Sequence, residues 1–128
     1  MSLSGPFLFR LELHKAIVHV TASGLCNQYG LVVDLTKLIH HKIIATDCRR
    51  VLLDFQKVDL KLQWSEIFNL VRMYETSMPE FYNITVGCVF NTSGLEFANY
   101  WRDVGQARGF TIEIFSTRKE AESWLINE

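Results

Sequence analysis

At 128 residues the chain fits one domain, residues 1–128, long enough to bury roughly two thirds of the surface that its unfolded form exposes. Its 48 % hydrophobic and 21 % charged residues, uninterrupted by proline- or glycine-rich tracts, exclude extensive disorder away from the ends. Thirteen basic against fourteen acidic residues give a net charge of −1, without the positive field that phosphate-backbone binding relies on, so nucleic acid is not an expected partner.

The first patterned stretch, Phe7 to His14, alternates: Phe7, Phe9, Leu11 and Leu13 share one face and Leu8, Arg10, Glu12 and His14 the other, as in a half-buried strand. A second run from Ala16 to Ala22 follows after a very short turn and predicts an antiparallel hairpin, so the sheet begins mixed. Gly24 is expected to end that strand. Leu31, Leu35, Leu38 and Ile39 then recur at helical spacing, predicting a helix that ends near Ile44.

Arg49 to Ser65 is the stretch around which the rest is organised. Val51, Leu52, Leu53 and Phe55 form a nearly unbroken apolar block, the signature of a parallel strand covered on both faces. Gln56 to Leu62 reads as a loop. Trp64, Ile67, Phe68, Val71 and Tyr74 then line one side of a second helix, which Pro79 stops. Ile84 to Phe90 is a second buried strand, after which Ser93 and Glu96 have the spacing of a capping box. A third helix turns Phe97, Ala98, Trp101 and Val104 inward and ends near Gly109. Phe110, Ile112 and Ile114 alternate with polar residues, as on an edge strand. Thr117 and Glu120 form another capping pair, and Ala121, Trp124 and Leu125 are the stripe of a last helix. The expected fold class is a single α/β domain with a mixed, mostly parallel sheet of about five strands and four helices.

Cys26, Cys48 and Cys88 are far apart and odd in number, which fits neither a disulfide framework nor a CxxC motif and points to a reducing, cytoplasmic compartment. The start MSLSGPFLF has no secretory pattern, no stretch approaches the roughly eighteen apolar residues of a membrane span, and residues 1–5 are expected to be flexible. Asn83-Ile84-Thr85 and Asn91-Thr92-Ser93 match the glycosylation pattern, which is inert in a cytoplasmic chain.

The element order, the strand VLLDF with its KVD continuation, and the tail from Phe115 to Leu125 together resemble the SpoIIAA-like (STAS-like) domain family, in particular its small bacterial members. The resemblance implies a STAS-like fold and a regulatory or protein-interaction role. In anti-sigma-factor antagonists of that family, the helix start after the central strand carries Asp-Ser-Ser-Gly, whose phosphorylated serine controls partner binding. Here Leu62, Gln63, Trp64 and Ser65 stand there. The motif is absent, Trp64 takes the serine's place, and what the resemblance still implies is the use of this edge for partner contact.

The carboxyl ends of parallel strands are where open α/β sheets meet ligands, so Asp54, Trp64, Ser65, Asn91, Thr92 and Ser93 form the candidate binding edge. Each has a plain alternative. Asp54 is either a functional carboxylate or one paired in the fold; Ser65 either holds a phosphate or only starts a helix; Asn91 to Gly94 either hold a polar ligand or only cap. A second candidate is the loop of Met78, Phe81 and Tyr82, a contact site if it exposes its aromatic pair. His40 and His41 point about 100° apart on a helix and do not form an i, i+4 metal pair. His14 and His19 flank the hairpin without a further ligand at matching spacing, so no metal and no cofactor is expected. No nucleophile, base and orienting group form a recognisable motif, which predicts a non-enzymatic module that binds a protein partner or itself. The alternative is a carrier or sensor of a small apolar ligand in an aromatic-lined pocket, and an enzyme of unknown type is the third reading.

Overall fold

In the computed structural model, which describes residues 5–127, the alternating start forms β1 (Leu8–His14) and pairs antiparallel with β2 (Ile17–Cys26). Lys15 and Ala16 turn the hairpin with φ of 51° and 62°, the doubly positive geometry that suits the right-handed twist of the flanking strands. There follow α1 (Tyr29–Thr46), β3 (Arg50–Leu60), α2 (Trp64–Ser77), a 3₁₀ segment (Pro79–Asn83) and β4 (Thr85–Phe90). A 3₁₀ turn (Thr92–Gly94), α3 (Leu95–Ala107), β5 (Thr111–Phe115) and α4 (Arg118–Asn127) complete the order. The strands lie in chain order, β1-β2-β3-β4-β5, and are parallel from β2 onward.

The period of two along each strand sends alternate residues to opposite layers. Val18, Val20 and Ala22 of β2 join Val51, Leu53 and Phe55 of β3 in a core with α1, α2 and α3. On the other face Ile17, Leu52 and Val89 meet Ala121 and Leu125 of α4. Gly87 lets that helix lie close, since a Cβ there would already touch the Leu125 side chain at 3.4 Å. The unbroken block in β3 is thus covered on both faces, as its composition requires.

The expected loop from Gln56 to Leu62 is a correction. β3 continues to Leu60 through a bulge, where its pairing with β2 steps from Thr21↔Asp54 to Ser23↔Lys57. The extra residue inverts the alternation: inward positions are odd up to Phe55 and even from Val58, with Val58 and Leu62 buried. Neither half then shows a long regular pattern. The first helix likewise extends past Ile44 to Thr46 and is closed by Asp47, whose φ of 52° lets its N–H reach the Ile43 carbonyl.

β2 does not stop at Gly24. Gly24 keeps its place opposite Val58 with φ of +96°, and a Cβ on it would sit 2.0 Å from the Pro6 carbonyl oxygen. The expected flexible start falls mainly on residues 1–4, outside the described residues; Gly5 accepts a hydrogen bond from the Leu25 amide at 2.8 Å. Gly24→Ala is expected to cost about 1–2 kcal/mol, limited because the short segment at Pro6 can lift away. Its mark is faster hydrogen exchange of the Leu25 amide. Unchanged stability with slow exchange there would contradict the close approach.

Candidate functional site

Past Leu60 the chain leaves the sheet, with the Lys61 amide bonded to the Cys26 carbonyl at 2.9 Å, and buries Leu62 before turning into α2. Gln63 is the N-cap, and Glu66 reaches back to accept from its backbone N–H at 2.8 Å. This reciprocal cap fixes where the helix begins. Trp64 is therefore the first helical residue, ahead of the buried stripe of Ile67, Leu70, Val71 and Tyr74. It is 44 % exposed. Its ring packs on Phe97 at 4.5 Å and edge-on to Tyr100 at 5.0 Å, both from α3. Leu95, which opens α3, is also exposed. Ser65 lies beside Trp64 in sequence and is exposed.

Asn91 follows β4 as the N-cap of the 3₁₀ turn and is fully occupied by the fold. Its Nδ2 donates to the carbonyls of Gln56 (3.0 Å) and Val58 (2.8 Å), and its Oδ1 accepts from Ser93 Oγ (2.7 Å) and the Gly94 amide (2.9 Å). β3 pairs with β4 only as far as Phe55↔Phe90, so the amide takes over where the ladder stops. The expected Ser93–Glu96 capping box is not formed: Gly94 is the N-cap of α3 and Ser93 is turned onto Asn91. Thr92 and Ser93 are exposed.

Asp54 lies on the opposite face of the sheet, where α4 packs. Arg118 Nη1 donates to its Oδ2 at 3.1 Å, and its Oδ1 accepts from the Gln56 amide and side chain. The same guanidinium bonds Glu122 Oε1 at 3.2 Å and His19 Nδ1 at 2.8 Å. Arginine only donates, so Nδ1 is the acceptor and His19 carries its proton on Nε2, which is buried without a partner. Burial first, and the Arg118 charge second, hold the His19 pKa below its ordinary value of 6.5. The His14 ring is 6.0 Å away. Arg118 went unnoticed in the sequence because nothing local marks it; only the return of α4 across the sheet brings it to Asp54.

The second candidate site lies at the amino ends of the parallel strands. Met78 is 5 % exposed and closes α2 through its amide on the Tyr74 carbonyl, so it offers no surface. Phe81 is partly buried, edge-on to His40 and Tyr74. Tyr82 stacks flat on Phe110 at 4.4 Å and leaves one side open. An exposed aromatic pair is thus not what this loop presents. His40 bonds Glu80 at 2.7 Å, and the three cysteines are free and buried.

The structure brings Trp64, Phe97, Tyr100 and Leu95 to the carboxyl edge and gathers Ser93 onto Asn91, while Asp54 belongs to a separate cluster. Tyr100 was missed in the sequence, although its spacing from Phe97 on one helix marks it. Among the described residues no helix is long and apolar enough to cross a membrane. No family model matches the chain, and no curated protein sequence does. Among solved structures, the chain is similar to the crystal structure of an anti-sigma factor antagonist from Mycobacterium paratuberculosis, with a TM-score of 0.65 and 15 % identity over 97 % of this chain and 99 % of that one. At that identity the likeness is one of fold: the chain shares the α/β fold of that structure, the fold class that the SpoIIAA-like (STAS-like) resemblance implies.

Proposed function

We propose that the chain is a non-enzymatic regulatory module of STAS-like type, which binds a protein partner through the apolar edge formed by the rings of Trp64, Phe97 and Tyr100 with the exposed Leu95, and has no phosphoserine switch there. The observation that carries this reading is Trp64 itself, 44 % exposed yet held by two rings of α3. Large aromatic anchors that lose little freedom on binding dominate interface energetics. The fold shared with an anti-sigma factor antagonist supports a protein as the partner. Trp64 also stands where the resemblance places the phosphorylated serine, so an apolar anchor replaces a charge-controlled contact at that position. The separation of Asp54 from Ser65 supports a binding role over catalysis, because the two lie on different sides of the sheet and Asp54 is engaged by Arg118.

The test is affinity capture with the wild type and Trp64→Ala side by side, followed by titration calorimetry on the partner identified. Trp64→Ala is expected to weaken binding about tenfold, roughly 1.4 kcal/mol, with thermal stability close to wild type because the ring is half outside the core. Equal affinity of the two proteins would remove this edge from the interface. Failure to capture any partner, together with turnover in a substrate screen, would overturn the non-enzymatic reading.

A further inference from the structure

We infer that the protein carries a binding site for a small uncharged apolar molecule, up to a single aromatic ring in size, within the core between the sheet and α1, α2 and α3. An apolar cavity of about 100 Å³, partly open to the surface, lies there, lined among others by Leu35 and Ile39 of α1, Leu70 of α2, Ala98 of α3, Leu53 of β3 and Ile112 of β5. Protein interiors are packed as densely as organic crystals, and voids larger than a water molecule are few. Unfilled space of this size is therefore a feature to be explained.

The chemistry of the lining selects the occupant. Its buried polar side chains are already engaged: Thr36 Oγ1 donates to the Val32 carbonyl at 2.8 Å, and Trp101 Nε1 donates to Tyr74 Oη at 3.2 Å, while Thr111 of the lining lies at the exposed start of β5. A buried water needs two to four polar partners, and a cavity without them stays dry. Burial also drives the Tyr74 pKa well up, so the hydroxyl stays neutral and offers no counter-charge. Ions and strongly polar molecules would lose their hydration with no compensation. Dry apolar cavities of about 150 Å³ take up benzene or xenon; this one has about two thirds of that volume, so a single ring marks the upper limit of what it takes, with the lining side chains yielding. Phe97 lines the cavity and also packs on Trp64. The cavity wall thus includes the ring against which the exposed tryptophan rests.

Benzene is the probe, added to the full chain and followed by methyl NMR and thermal unfolding. Saturable shifts concentrated at the methyls of Leu35, Leu53, Leu70 and Ile112, with a rise in Tm as expected for a ligand of the native state, support the site. Ala98→Leu extends a side chain into the cavity and is expected to lower benzene affinity at least tenfold while the protein stays folded. If Ala98→Leu does not fold, Leu70→Phe serves the same purpose. Absence of localised shifts in the wild type, or undiminished affinity in a folded filled variant, would overturn the inference.

Discussion

Asn91→Ala is expected to lower the unfolding free energy by roughly 2–4 kcal/mol, although the residue lies at the surface end of a strand. The wild-type side chain uses all of its hydrogen-bonding capacity, two donors and two acceptor sites, on Gln56, Val58, Ser93 and Gly94. Its two donors serve carbonyls of β3 beyond the last β4 pairing at Phe55↔Phe90. Alanine leaves the Val58 carbonyl unpartnered next to a buried side chain, and frees the turn that leads into α3. Ser93→Ala is the control, expected within about 0.5 kcal/mol of wild type because water replaces the lost contact at an exposed hydroxyl. Asn91→Asp keeps the acceptor but points a carboxylate oxygen at two carbonyls, so it should be no better than alanine. Urea denaturation at neutral pH measures all three. An Asn91→Ala protein within about 0.5 kcal/mol of wild type would mean that the bulge supports itself, and that Asn91 is available to a ligand after all.

The elements that were legible in the sequence are those whose pattern is local. The alternation of β1, the apolar blocks of β3 and β4, and the stripes of α2 and α3 place each segment in its layer with no long-range information. β3 beyond the bulge was not legible because an inserted residue changes which parity faces the core, so a window across Phe55 and Val58 sees no period. The site was legible only in part. Trp64 fits the inward stripe of α2 by spacing, yet it falls at the first residue of the helix, beyond the end of the packed stripe, and stays half outside. Asn91 reads as a turn residue because its partners are 33 and 35 residues away. Arg118 is separated from Asp54 by 64 residues and from His19 by 99, and an Arg-Lys pair in a helix start gives no sign of such a reach.

Arg118→Met is expected to cost roughly 2–3 kcal/mol at pH 7.5, and to cost less as the pH falls toward 5.5. The side chain of Asp54 is only 14 % exposed against 34 % for Arg118. Removing the cation leaves a mostly buried carboxylate without its ion pair and the His19 Nδ1 without its donor, while the methionine retains the apolar stem that packs α4 on the sheet. Partial exposure of the guanidinium keeps the loss below that of a fully buried pair. The pH dependence follows from His19. In the wild type its folded-state pKa lies below the ordinary 6.5, so the unfolded chain binds more protons in that window. The corresponding stability is present above about pH 6.5 and is lost as the pH falls toward the depressed value. In Arg118→Met one cause of the depression is gone, and Glu122, whose charge raises the His19 pKa, acts with no competing cation. Protonation of His19 is then less opposed, so acidification penalises the variant less than the wild type. His14, 6.0 Å from His19, is common to both proteins. Denaturant unfolding at pH 7.5, 6.5 and 5.5, above the range where ordinary carboxylates titrate, resolves the two slopes. Introducing His19→Gln into both the wild type and the variant should abolish the difference in slope while leaving the loss at pH 7.5. Parallel curves for wild type and Arg118→Met would show that His19 does not report the Arg118 charge, and that the cluster holds α4 through the Asp54 pair alone.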